Sequence, residues 1–132
     1  MNRIATIHYP EDMSLALSEA IWGKGTAQPG ERGFSFRTIE NPSYLIPPGT
    51  YTLGLHRWSK SGRLVPILQK VPASPEYPSY AGDTKGFRTG ILIHNGTREE
   101  HSHGCLLAPQ SVIDSLVTLI QSTHEKVTIT IK

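Results

Sequence analysis

The chain has 132 residues, of which 37% are hydrophobic and 18% are charged, and its net charge is +2. This length suits a single domain over residues 1–132, and the composition is ordinary for a globular protein. Acidic and basic residues are interleaved, which excludes the basic patch of a nucleic-acid-binding protein. No apolar stretch reaches the length of a membrane span. The single cysteine, Cys105, excludes an intrachain disulfide.

The first part of the chain predicts a strand followed by a segment of uncertain type. The 12 glycines and 10 prolines of the chain favour short strands joined by turns. Residues 3–9 are rich in β-branched and aromatic side chains and predict a first strand. Residues 12–22 fit either a short helix capped by Asp12 or an irregular strand. Residues 24–33 predict a loop.

The next part of the chain predicts three more strands. Residues 34–39 alternate between apolar and polar side chains, as a half-buried strand does. A turn over residues 46–51 leads into a strand over residues 51–55. Residues 63–71 predict another strand, in which Pro66 indicates a sheet edge or a bulge.

The second half of the chain predicts a long loop, two strands and one helix. The loop covers residues 72–90, and loops of that length usually cover or line a site. The apolar residues 91–93 predict a buried strand that ends at His94. Pro109 suits the first turn of a helix whose apolar face comprises Val112, Ile113, Leu116, Val117 and Ile120. Residues 127–131 alternate strictly and predict a final strand. These elements indicate a mainly β fold, a sandwich or barrel with one C-terminal helix.

The segment from Gly90 to Pro109 concentrates the reactive side chains. It holds three of the six histidines and the only cysteine, and Cys105 comes 11 residues after His94. A thiol becomes a good nucleophile as a thiolate, and a neighbouring imidazole can take its proton and later return it to a leaving group. Gly104 lets backbone approach a substrate closely. Amide groups around Cys105 could stabilise an oxyanion, at about 3 kcal/mol per donor.

This segment resembles the catalytic region of the L,D-transpeptidase family. Residues 102–105, Ser-His-Gly-Cys, are identical to the most specific part of the family's signature, and residues 93–96 resemble its strand-borne histidine. The turn at residues 46–51 is similar to one that commonly precedes the same site. The resemblance covers roughly residues 34–131. It implies a transpeptidase-like β fold and a cysteine acyltransferase.

The resemblance also implies roles for individual residues. Cys105 would be the acylated nucleophile and His94 the general base, oriented by the backbone of Asn95 or Gly96. The substrate would be a peptidoglycan stem peptide, cleaved before a terminal D-alanine, and the acyl group would pass to an amine or, in carboxypeptidase members, to water. No metal and no organic cofactor is implied.

Further roles are implied for residues around the thiol. His103 would shape the pocket, and the amides of Gly104 and Cys105 would hold the oxyanion. We expect substrate contacts at Ser102, at Asn95 and Gly96, and at Arg88 and Tyr80 of the long loop. Arg88 is the best candidate to hold a substrate carboxylate, because a guanidinium matches a carboxylate in two hydrogen bonds.

Two features set the chain apart from the cross-linking members of the family. The spacing between its two histidine-containing parts is shorter, and Leu106 and Leu107 follow the cysteine where a polar or basic residue is usual. In both features the chain resembles short relatives found in phages and in bacterial antagonism systems. Residues 1–5 lack the apolar core that is typical of a signal peptide, so we expect none. We therefore expect synthesis in the cytoplasm, action in the periplasm or cell wall, and a phage component, a secretion system or a cognate immunity protein as partner.

Two other interpretations compete with the enzyme. If residues 101–105 are extended, His101, His103 and Cys105 share one face and could bind zinc, with His94 or Glu99 completing the set. The second interpretation is a non-catalytic peptidoglycan-binding domain of the same fold.

Overall fold

The computed structural model describes residues 2–8, 33–98, 102–123 and 126–132. The described residues form seven strands, a short 3-10 turn at Pro42–Tyr44 and one α-helix. The strands are β1 (Asn2–His8), β2 (Gly33–Ile39), β3 (Gly49–Arg57), β4 (Leu64–Leu68), β5 (Ile93–His94), β6 (Leu106–Leu107) and β7 (Thr128–Ile131), and the helix is α1 (Gln110–Ser122).

The seven strands form a single sheet that is nearly a barrel. Its order is β4-β3-β7-β1-β2-β6-β5, and every pair is antiparallel except β5 with β6. The two ends of this order approach each other, because Ile67 of β4 bridges Leu92 just before β5. Leu68 N–H also donates to Ile91 O at 2.8 Å. The prediction of a mainly β fold with one C-terminal helix is confirmed.

Most of the predicted elements agree with the structure to within a few residues. The strands predicted over residues 3–9, 34–39 and 127–131 correspond to β1, β2 and β7, and β3 is longer than predicted. Pro66 lies in β4, which ends the sheet order, as an edge position requires. The ambiguous segment at residues 12–22 lies outside the described residues, as does nearly all of the loop predicted over residues 24–33.

The core fills the space between the curved sheet and α1. Its fully buried side chains come from central strands and from the helix, among them Ile7, Ile129 and Leu106. The buried face of α1 comprises Ile113, Leu116 and Leu119. Leu119 is absent from the apolar face predicted from the sequence. The predicted residues Val112, Val117 and Ile120 are partly exposed and pack against the core. No helix in the described ranges has the length and apolar content needed to cross a membrane.

A buried ion pair lies beside β1 and at the end of β2. Glu40 is 1% exposed, and its carboxylate is 3.4 Å from a guanidinium nitrogen of Arg3. The carboxylate also accepts a hydrogen bond from Ile46 N–H at 3.2 Å. Burial raises the pKa of Glu40 above its ordinary value, and the charge of Arg3 only partly offsets this effect. The pair anchors the chain that leads from β2 to the turn before β3.

Candidate active site

The parallel strand pair β5 and β6 brings His94 and Cys105 to one end of the sheet. His94 lies opposite Leu107 in the register, and Cys105 directly precedes β6, two residues before Leu107. Usual strand spacings place the Cα atoms of His94 and Cys105 about 8 Å apart. The two side chains can therefore reach each other although a loop separates them in sequence.

The Cys105 thiol is half-buried and held by backbone groups. Its sulfur accepts the Leu92 N–H at 3.4 Å and lies 3.6 Å from Gly90 O, to which it can donate. Burial raises the pKa of the Cys105 thiol, and the Leu92 N–H and the positive charge of Lys60 only partly offset this. The thiol is therefore protonated at neutral pH in the resting protein, and nucleophilic attack requires a base.

The turn before Cys105 is fixed by the fully buried side chain of Ser102. Its hydroxyl donates to Cys105 O at 2.5 Å and accepts the Gly104 N–H at 3.2 Å. Asn41 Nδ2 donates to Ser102 O at 3.0 Å. Gly104 has a φ of +113°, a backbone conformation that favours glycine. These contacts explain the Ser-x-Gly-Cys part of the motif as a requirement for one turn geometry.

The same contacts correct two expectations from the sequence. Ser102 shapes the turn and is too deeply buried to contact a substrate. The Gly104 N–H is already bonded to Ser102 Oγ, so it is not available to an oxyanion. The Cys105 N–H, which makes no hydrogen bond within the described residues, is the amide of this turn that can stabilise developing charge.

His94 is buried and oriented from two sides. Its Nδ1 lies 2.9 Å from Asn95 O, a carbonyl to which a ring N–H can donate. Its ring stacks on Trp58 with centroids 4.4 Å apart and an angle of 26° between planes. Gly96, the other residue expected to orient the ring, follows half-buried. A bond from Nδ1–H to the carbonyl leaves Nε2 as the nitrogen that can accept a proton.

The imidazole and the thiol belong to adjacent, paired segments of the chain. Within the described part of the chain, Cys105 Sγ contacts backbone groups and makes no hydrogen bond to His94. The sequence predicts such a bond. Hydrogen bonds between catalytic groups are often long in unliganded proteins and tighten when substrate binds. The strand pairing therefore brings the two residues within reach of each other, and a hydrogen bond between thiol and imidazole requires a side-chain rotation.

A cavity of about 260 Å³ lies beside His103. His103 stacks on Tyr80 with ring centroids 4.3 Å apart, and Tyr80 packs edge-to-face on Tyr44 at 5.3 Å. Tyr80 is 60% exposed, so the stack presents an aromatic surface to solvent. The cavity is lined by Ser79, Tyr80, Ala81, Asp83, Arg88, Thr89 and His103. The long loop therefore supplies most of the lining of this cavity.

Arg88 fixes that loop, and this corrects its expected role. Its guanidinium donates to Tyr44 O at 3.0 Å, to Leu45 O at 2.6 Å and to Tyr77 O at 2.8 Å. The side chain is buried, and burial lowers the pKa of Arg88. Because its terminal nitrogens are engaged by carbonyls, Arg88 is not placed to hold a substrate carboxylate in two hydrogen bonds.

Comparisons with protein-family models, with curated proteins and with solved structures found no match. The chemistry of the site itself therefore carries the functional proposal.

A second cavity, of about 240 Å³, lies on the His94 side. It is lined by Trp58, Ser61, Arg63, Val65, Asn95 and Gln110. The β3–β4 loop (residues 58–63) also contributes to the site, and no sequence feature predicted this. It places Trp58 against His94, and the charge of Lys60 acts on the thiol. No local motif marks this loop, since its role arises from the pairing of Ile67 with Leu92.

The zinc interpretation invokes five residues, His94, Glu99, His101, His103 and Cys105. His101 and Glu99 lie outside the described residues. Among the residues that are described, no three His, Cys, Asp or Glu side chains are grouped as metal ligands. His103 turns to Tyr80 in a ring stack, and Cys105 Sγ contacts the backbone of Gly90 and Leu92.

Proposed function

We propose that this protein is a cysteine acyltransferase or hydrolase of peptidoglycan stem peptides, acting through an acyl-enzyme on Cys105. The proposal is supported most by the pairing of β5 with β6, which brings a half-buried thiol and a backbone-oriented histidine onto adjacent segments of chain. The sequence resemblance to L,D-transpeptidases suggests the substrate class. We propose the periplasm or cell wall as the site of action, reached as a phage product or as a delivered toxin.

The proposed reaction has two half-reactions. First, the His94 imidazole takes the thiol proton while the sulfur attacks a peptide carbonyl, and the Cys105 N–H donates to the resulting oxyanion. The C–N bond then breaks, and the leaving amine takes the proton from the imidazolium. In the second half-reaction an amine or water gives a proton to His94 and attacks the thioester carbonyl. The C–S bond then breaks, and the leaving thiolate takes the proton back from the imidazolium.

The raised pKa of the thiol fits this sequence of steps. A thiol that is protonated at rest reacts little with adventitious electrophiles. Substrate binding excludes water, and rotation of either side chain then brings thiol and imidazole together. Activation is thereby confined to the complex with substrate. The fixed Ser102 turn keeps the Cys105 main chain, and with it the oxyanion donor, in place throughout.

Mass spectrometry of the intact protein tests the proposal. We expect a covalent adduct on Cys105 after incubation with tetrapeptide muropeptides or with a carbapenem, and no adduct on Cys105→Ala. Cys105→Ala is expected to keep a melting temperature close to that of the wild type, because the thiol is only half-buried. An unmodified protein under all these conditions, with its fold intact, would overturn the proposal.

His94 has its own variant in the same assay. His94→Gln keeps a polar side chain of similar reach but removes the base, so we expect adduct formation to slow by about a hundredfold or more. Trp58→Phe is the matched control for the ring stack, since it retains an aromatic face. A His94→Gln variant that acylates at the wild-type rate would remove His94 from the proposed mechanism.

A further inference from the structure

The cavity beside His103 combines aromatic surface with hydrogen-bonding groups. Tyr80 and His103 are both exposed, and their stacked rings belong to the lining. The lining also includes the polar side chains of Ser79, Asp83 and Thr89. Apolar surface with a few polar groups is the usual composition of a small-molecule site. The volume of about 260 Å³ lies just below the range of about 300–1,000 Å³ for drug-sized ligands, which suits a single small ring.

The aromatic surface is held in place before any ligand binds. Tyr80 packs edge-to-face on Tyr44 and stacks on His103. Arg88 donates hydrogen bonds to Tyr44 O and to Tyr77 O, so it ties the chain before Tyr80 to the segment that carries Tyr44. A ring that is already fixed loses little freedom on binding, which favours affinity.

A tight turn fixes the carboxylate of Asp83 in the same way. Asp83 N–H donates to Ser79 Oγ at 3.0 Å, and Ser79 N–H donates to Asp83 O at 3.0 Å. Ser79 Oγ in turn donates to Asp83 Oδ2 at 3.1 Å. In the part of the chain that the structure describes, Asp83 Oδ1 accepts no hydrogen bond. This oxygen is therefore a positioned acceptor for a hydroxyl of a ligand.

The charges of the lining disfavour an ionic ligand. The described lining residues include one guanidinium, that of Arg88, and one carboxylate, that of Asp83. A cation or an anion would each meet one like charge there, and like charges brought together oppose binding. A neutral ligand meets neither penalty. The faces of aromatic rings carry partial negative charge, so they attract the weakly positive C–H groups of such a ligand.

We infer that this cavity binds a neutral pyranose ring of a glycan. The C–H face of the sugar packs on the stack of Tyr80 and His103, and a sugar hydroxyl donates to Asp83 Oδ1. A pyranose meets both requirements, because it is neutral and has an apolar face bordered by hydroxyls. The inference goes beyond the proposed function and does not depend on acylation of Cys105.

A titration of the full-length protein with neutral trisaccharides tests the inference. The probes are tri-N-acetylchitotriose and cellotriose, and dissociation constants come from chemical-shift changes of the ¹⁵N-labelled protein at about pH 8, where an ordinary imidazole is neutral. The variants are Tyr80→Ala, Tyr80→Phe and Asp83→Asn, with melting temperatures to confirm folding. Phe87→Ala is the matched control, because Phe87 is a 63% exposed aromatic residue of the same loop and lies outside the cavity lining.

We expect Tyr80→Ala to weaken sugar binding by about fivefold to tenfold, because it removes the stacking surface. Tyr80→Phe keeps the ring and should bind nearly as the wild type does. Asp83→Asn should weaken binding by about threefold to tenfold, because it removes a charged acceptor. Phe87→Ala should leave the affinity unchanged. A preference for the acetylated sugar would indicate an amino-sugar glycan, and equal affinities would indicate recognition of the ring alone.

Three results would overturn the inference. The first is a folded wild type that binds neither trisaccharide, and the second is a Tyr80→Ala effect no larger than that of Phe87→Ala. The third is tighter binding of choline than of either sugar, which would identify the cavity as an ammonium site. Cys105→Ala should bind the sugars as the wild type does. Sugar binding and acylation of Cys105 can therefore succeed or fail separately.

Discussion

At the scale of single residues, the site depends on a balance of electrostatic effects at one sulfur atom. Burial raises the pKa of Cys105, whereas the Leu92 N–H and the Lys60 charge lower it. Of these, only Lys60 is an exposed side chain that can be replaced without disturbing the sheet. Lys60 is therefore the residue through which the reactivity of the resting thiol can be adjusted.

Replacing Lys60 should make the resting thiol less reactive. Lys60→Ala removes a positive charge that favours the thiolate, so the pKa of Cys105 rises further and the thiolate fraction falls. We expect iodoacetamide alkylation at about pH 8 to slow by about twofold to fivefold, the usual size of an exposed charge effect. The difference should shrink in high salt. Lys85→Ala, a charge change in the long loop, is the control, and an equal effect there would contradict the assignment.

Ser102 gives a second residue-scale prediction, on stability and on reactivity together. Ser102→Ala leaves the buried Gly104 N–H without its acceptor and Cys105 O without its donor. We expect a loss of about 1–3 kcal/mol in the free energy of unfolding, measured with urea, and slower acylation of Cys105. Ser122→Ala removes an exposed bond to Thr118 O and should cost less than about 0.5 kcal/mol. Equal losses in the two variants would show that Ser102 has no special role.

At the scale of elements, local sequence patterns predicted where the strands lie, but not which loops and side chains support the site. The period of two identified β1, β2 and β7, and the apolar run before His94 identified β5, because these features are written in adjacent residues. Neither the β3–β4 loop nor the Arg88 anchor could be predicted in the same way. Their roles come from contacts with segments far away in sequence, such as Arg88 with Tyr44 O and Trp58 with His94.

The buried pair at the end of β2 predicts an unusual pH dependence. An acid whose pKa is higher in the fold than in the unfolded chain binds more protons when folded, so the free energy of unfolding falls as pH rises between the two values. For Glu40 this window begins near its ordinary value of 4.5. Glu40→Gln removes this loss, so the stability of the variant relative to wild type should improve as pH rises from about 4 to 7. Urea unfolding at each pH measures the difference.

Arg3→Met removes the other member of the ion pair and should have the opposite effect on stability. It removes the charge that partly offsets the burial of Glu40, so stability at neutral pH should fall by about 3 kcal/mol. The pKa of Glu40 should rise further, which makes the loss smaller in acid. A wild type and a Glu40→Gln variant with parallel pH profiles would refute the assigned pKa direction.

At the scale of the whole molecule, the last strand joins two parts of the sheet. β7 lies between β3 and β1, so the pair β3–β4 meets the group β1, β2, β6 and β5 through residues near the end of the chain. The sequence predicts that residues 127–131 form a strand, but a period of two does not specify partners. The pairing of β5 with β6 sets the positions of His94 and Cys105, and the approach of β4 to β5 brings Trp58 of the β3–β4 loop against His94.

Ile129 tests whether β7 holds the sheet together. Its side chain is fully buried, and its register partners are Ile7 of β1 and Tyr51 of β3. Ile129→Ala should lower the free energy of unfolding by about 2–5 kcal/mol, because it leaves a cavity where two parts of the sheet meet. Thr128→Ala, on the half-buried face of the same strand, should cost about 1 kcal/mol or less. Since closure brings Trp58 against His94, Ile129→Ala should also slow Cys105 acylation at temperatures where the protein is still folded. An Ile129→Ala variant that loses stability but acylates at the wild-type rate would show that the site holds its geometry without the closed sheet.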